Sequence, residues 1–179
     1  MPIAASDIKY KLSVTTGPGN TNAQADPNLS LGEFMSSTEI TDATDNNLFD
    51  DISGDENAAS DVEYRCFFVH NDHATLAWQS VVAWLSSEVA GGANAAIAID
   101  GVAASAEDSA TAQADEVVNE STAPSGESFS APTTKGTGLS VGTLNAGFCR
   151  AIWVRRTATN SSAQNADGVT IRCEGDTAA

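Results

Sequence analysis

Apolar and polar residues alternate along several short stretches of this chain, the period-two signature of strands with two distinct faces. In 7–15 (DIKYKLSVT), Ile8, Tyr10, Leu12 and Val14 share one side, and Lys9, Lys11 and Ser13 the other. In 62–70 (VEYRCFFVH), Val62, Tyr64, Cys66, Phe68 and His70 oppose Glu63, Arg65, Phe67 and Val69. In 147–156, Cys149, Ala151 and Trp153 oppose Phe148, Arg150, Ile152 and Val154; in 169–174, Val169, Ile171 and Cys173 alternate with Thr170, Arg172 and Glu174. The polar loop 157–167 joins these last two, and the pattern predicts that they close the protein as a hairpin. Residues 74–85 (ATLAWQSVVAWL) predict another strand, with a helix as the alternative because Trp78, Val81, Val82 and Leu85 also fit a helical period. Shorter strands are predicted at 95–100, at 139–144 and at the end of 29–40, with a weak one at Val117 and Val118. Turn signals separate them: Gly17-Pro18-Gly19, Asn71-Asp72-His73, Gly91-Gly92 and the Ser/Pro/Thr loop 121–135. Seven to nine strands with almost no helix predict an all-β fold, an antiparallel β-sandwich or jelly roll with long polar loops.

A length of 179 residues suffices for one sizeable core. No Pro/Gly linker divides the apolar segments, so one domain, 1–179, is expected, with an Ala-rich insertion around 90–131. Leu48, Phe49 and Ile52 form an apolar island within the acidic stretch 41–61, expected to pack onto a core edge. Lys plus Arg number 8 against 24 Asp plus Glu, a net charge of −16. That charge repels nucleic acid at long range, so no nucleic-acid partner is expected. No stretch approaches the roughly 18 apolar residues of a membrane span, so no membrane partner is expected either. The first residues lack the basic and long apolar regions of a signal peptide.

The few cations lie towards the two ends of the sequence: none falls in 12–64 or 66–134. If the terminal strands are neighbours, Lys9, Lys11, Arg150, Arg155, Arg156 and Arg172 form one basic patch, a candidate interface. Ordinary surface salt bridges are the alternative. Cys66, Cys149 and Cys173 lie in strand-like runs without CxxC spacing, which predicts buried free thiols and a reducing compartment. A Cys149–Cys173 bridge across the final hairpin is the alternative, and it would leave Cys66 unpaired.

Signals for chemistry are weak. Gly138-Leu139-Ser140-Val141-Gly142 matches GxSxG, but a nucleophile elbow needs a helix after the serine, and another strand is predicted there. Cys66, His70 and His73 have C-x3-H-x2-H spacing, yet four residues along a strand separate Cys66 from His70 by about 13 Å. The acidic runs 42–51 and 55–61 do not follow the EF-hand pattern. Trp78, Trp84 and Trp153 occur in apolar strands and are expected in the core, with a sugar-stacking face as the alternative. No catalytic residue, cofactor or metal site is therefore predicted.

Three segments together resemble small virion structural proteins of tailed bacteriophages, of the type that decorates or cements the capsid: 47–56 (NLFDDISGDE), 62–71 (VEYRCFFVHN) and 151–177 (AIWVRRT…DGVTIRCEGDT). The resemblance implies a non-enzymatic protein, made in the bacterial cytoplasm and held on the outer capsid surface. Its partners would be the major capsid protein and copies of itself, as a trimer first and a dimer next. It would clamp shell subunits against the pressure of the packaged genome. A tail, neck or fibre-associated virion protein is one alternative, and a carbohydrate-binding β-sandwich module another.

Overall fold

A computed structural model describes residues 2–164 and 167–177. Among them, nine strands run in chain order: β1 (Ile8–Val14), β2 (Phe34–Glu39), β3 (Val62–Asn71), β4 (Trp78–Glu88), β5 (Asn94–Ile99), β6 (Ser105–Ala106), β7 (Leu139–Leu144), β8 (Phe148–Thr157) and β9 (Val169–Thr177). They form two antiparallel sheets. The larger has the order β2-β1-β3-β8-β5, with β6 also pairing β8; the smaller has the order β7-β4-β9. The fold is all-β, as the alternation predicts, and 74–85 contributes a strand rather than a helix.

The sheets pack face to face. Phe67 and Val69 of β3 and Ile152 and Val154 of β8 meet Val81, Ala83 and Leu85 of β4 and Val141 and Leu144 of β7. The opposite face of the larger sheet is buried too. There Cys66, Phe68, Cys149, Ala151 and Trp153 form a second core with Met35, Ala98, Ala114 and Val117. Every residue of β3 from Arg65 to Asn71 is consequently buried, and its sequence is dense in apolar residues on both faces. The Ala-rich stretch supplies much of this arrangement: β5 joins the sheet edge, and Ala114 and Val117 cover the second core. Gly32 permits the closest approach of that cover. Its φ is +103°, and a Cβ there would stand 1.9 Å from the carbonyl oxygen of Asp115.

The structure corrects several sequence expectations and bears out the free cysteines. The last two long strands do not pair as a hairpin: β8 is internal to the larger sheet, while β9 bonds only β4 in the smaller. Their connection crosses between sheets, and alternation within each strand carries no information on which partner it takes. Cys149 and Cys173 are thus on different sheets, and all three cysteines are free. The terminal strands are not neighbours, because β3 separates β1 from β8. Val117 and Val118 form no strand; Val117 is buried by packing, and Val118 is exposed. A short helix, α1 (Gly54–Ala59), also stands in the acidic stretch, where no helix is predicted, held by a capping box between Ser53 and Glu56.

Candidate functional site

The most connected polar cluster lies where the acidic loop meets the larger sheet. Glu63 of β3 and Arg156 of β8 are cross-strand partners. Arg156 donates to the Glu63 carboxylate, to the Asp50 carboxylate at 3.0 Å and to the Asp50 carbonyl. Its guanidinium carbon lies 4.7 Å from the centroid of the Phe49 ring, and that of Arg65 lies 5.2 Å from the same ring. Phe49 therefore has two cations within reach of its ring, contacts that the ring quadrupole stabilises. Arg65, wholly buried, donates to Glu120 Oε2 at 2.5 Å and to Asn28 Oδ1 at 3.2 Å. Burial raises the Glu63 carboxyl above its ordinary range, and Arg156 pulls the other way. Leu48 and Phe49 pack on the inter-sheet core as expected, and Ile52 lines a cleft of about 980 Å³ between this loop and Tyr10, Phe67, Val154 and Ile171.

The six candidate interface cations do not converge. Lys9 is half-buried and pairs with Glu39 at 3.4 Å. Lys11 is buried and donates to Asn20 Oδ1 at 2.6 Å. Arg150 joins the sheets through the carbonyls of Val141 and Asp100. Arg155 lies 5.5 Å from the Phe129 ring centroid. Arg156 is committed to Glu63 and Asp50. Arg172 alone of the six is classed as exposed, on the outer face of β9, and it makes no ion pair among the described residues. Single-residue charge was visible in the sequence, whereas these partners come from segments remote in the chain.

Two further clusters were not legible as sites. Asp100, Asp115 and Glu127 bring carboxylate oxygens within 4.8 Å of one another. Asp100 is held by three donors, accepting from Trp153 Nε1 at 2.8 Å, Asp115 N at 3.0 Å and Val102 N at 2.8 Å. Burial, and then the Asp100 charge, raise the Asp115 carboxyl; burial comes first for Glu127 as well, and it too is raised. The other cluster is His70, Asp72 and Glu107, again within 4.8 Å. The sequence spacing groups His70 with Cys66 and His73, but His73 serves its own turn, its Nδ1 accepting from the N–H groups of Thr75 and Leu76. The usable signal was His70-x-Asp72, whose period-two spacing favours one side of an extended chain; Glu107 comes from the Ala-rich segment and had no local signal.

The remaining motifs are structural. Ser140 lies in β7, which β8 follows without a helix. Trp78, Trp84 and Trp153 are 6%, 6% and 0% exposed, so none presents a stacking face. Comparison of the chain with protein-family models, with curated proteins and with solved structures finds no match.

Proposed function

We propose that this protein is a structural component of a tailed-phage virion that binds the outside of the capsid shell and stabilises it. One observation carries the reading. Two of the three segments with the phage-protein resemblance are neighbours in sequence and the third is remote, yet all three meet at a single locus, where Asp50 and Phe49 of the first, Glu63 and Arg65 of the second and Arg156 of the third are in contact. Parts of all three segments thus pack together, while the third also runs on through β9 into the smaller sheet. The net charge of −16 agrees with an outer rather than a DNA-lined position. Such a protein acts mechanically: many modest contacts, repeated by shell symmetry, reinforce subunit boundaries through multivalency. Among the six candidate cations, Arg172 is the one exposed for pairing with a shell carboxylate.

The test is to add the purified protein to shells that lack it and to image the particles by electron cryomicroscopy. The expected result is symmetric density on the outer surface, trimeric at threefold positions, with a twofold dimer the next arrangement. Density confined to tail, neck or fibres moves the protein to those structures, and absence from particles overturns the virion reading.

A further inference from the structure

We infer that His70, Asp72 and Glu107 form a binding site for a divalent transition-metal ion such as Zn2+. The His70 side chain is fully buried, and neither ring nitrogen has a hydrogen-bond partner among the described residues. A buried imidazole normally finds one, so this ring lacks something that its surroundings do not supply. Its Nε2 lies 3.4 Å from Glu107 Oε2 without forming a hydrogen bond. That separation suits a shared metal: two ligands at about 2.0–2.1 Å from a tetrahedral zinc stand about 3.3–3.4 Å apart. Asp72 brings a second carboxylate, and the three ligand atoms lie within 4.8 Å of one another.

The surroundings support the same chemistry. Asn20 Nδ2 donates to Glu107 Oε2 at 2.6 Å, orienting the carboxylate as outer partners of metal ligands do. Lys11 and Lys9 are the nearby opposing charges; the Lys11 ammonium is held on Asn20 Oδ1 and Lys9 pairs with Glu39. One imidazole and two carboxylates favour zinc-like ions over calcium, which prefers oxygen alone. Asp72 is exposed and Glu107 partly so, which gives the ion a path from solvent and leaves its fourth position open to water.

The site does not depend on the virion reading. Its test is titration of the full-length, chelator-treated protein with Co2+, followed by Zn2+. One Co2+ per chain is expected, with visible absorption of a tetrahedral nitrogen–oxygen site that Zn2+ abolishes. Asp72→Asn and Glu107→Gln lie on the solvent side, and their folding is checked by circular dichroism. Each should weaken binding about tenfold or more, while Glu127→Gln should leave it unchanged. Absence of saturable one-to-one binding overturns the site, as does one-to-one binding unaffected by both the Asp72 and Glu107 substitutions. A thiolate-to-cobalt charge-transfer band also overturns it, because the ligand is then a cysteine.

Discussion

Glu63 stands directly opposite Arg156 in the β3–β8 pairing, and a single oxygen of its carboxylate accepts hydrogen bonds from both Nε and Nη2 of that guanidinium. The two side chains are only 10% and 12% exposed. Arg156→Ala therefore leaves a buried carboxylate without its partner and frees Phe49 and Asp50 from the sheet. The expected loss is about 3–5 kcal/mol, measured as a lowered denaturant midpoint. Arg156→Lys should recover only part of it, since an ammonium cannot reproduce the fork that reaches Glu63 and Asp50 together. A substitution at this position with unchanged stability would show that the cluster is not formed in solution.

Gln113 pins the Ala-rich segment to the larger sheet. Its Oε1 accepts from Met35 N at 2.9 Å, and its Nε2 donates to the Ala106 carbonyl at 2.8 Å and to Cys149 Sγ at 3.2 Å. Gln113→Leu keeps much of the volume but orphans the buried Met35 N–H, at about 1–3 kcal/mol, while the Ala106 carbonyl keeps the Ser109 N–H. Hydrogen exchange should locate the damage. The amides of Gln113, Ala114 and Val117, bonded to Glu33 and Leu31, are protected in the parent protein and should exchange faster in the variant.

The cysteines should be inert in the native state. Cys66 and Cys149 are buried, and burial pushes the Cys149 and Cys173 thiols up to about 12, so almost no thiolate exists at neutral pH. A thiol reagent should modify none of the three rapidly in native protein and all three after denaturation. A disulfide found by mass spectrometry without reductant would contradict the separation of Cys149 and Cys173 between sheets.

Glu127 should make stability depend on pH in a definite direction. Its folded-state carboxyl is raised, chiefly by burial, with the Asp100 and Asp115 charges adding to the effect. The folded protein holds the proton more tightly than the unfolded chain. The stability linked to it is complete below the ordinary carboxylate range and is lost as pH rises through the raised value. Glu127→Gln removes the repulsion while leaving an oxygen to accept from Gly101 N. Thermal unfolding midpoints should be higher for the variant at neutral pH and should converge with the parent as pH falls through the carboxylate range. A constant difference at all pH values would assign the effect to packing instead.

Strand positions were legible because side-chain alternation is local. The faces assigned to β3 and β8 are those observed, with Phe67, Val69, Ile152 and Val154 on the inter-sheet side and Cys66, Phe68, Ala151 and Trp153 on the other. Pairing was not legible, because β9 could alternate identically beside β8 or beside β4. The same limit governed the polar residues. Arg156 and Arg172 look alike in sequence, yet one meets Asp50 from a remote loop while the other faces solvent. Ser53 and Glu56 did carry a helix signal in SGDE, three residues apart, within a stretch dominated by its acidic composition.

The position of β3 at the heart of the larger sheet also governs the order in which the protein can be built. Val62 meets Thr157, and Asn71 meets Phe148, so while β1 precedes this strand, its other partner, β8, is synthesised near the end of the described chain. As translation proceeds, both apolar sides of 62–71 emerge from the ribosome long before the segment that covers one edge and the cover that seals one face. Such an interval exposes a hydrophobic, strand-forming stretch to other nascent chains. Fragments ending before Phe148 should therefore be aggregation-prone whatever their length, and soluble protein should accumulate only once β8 is complete.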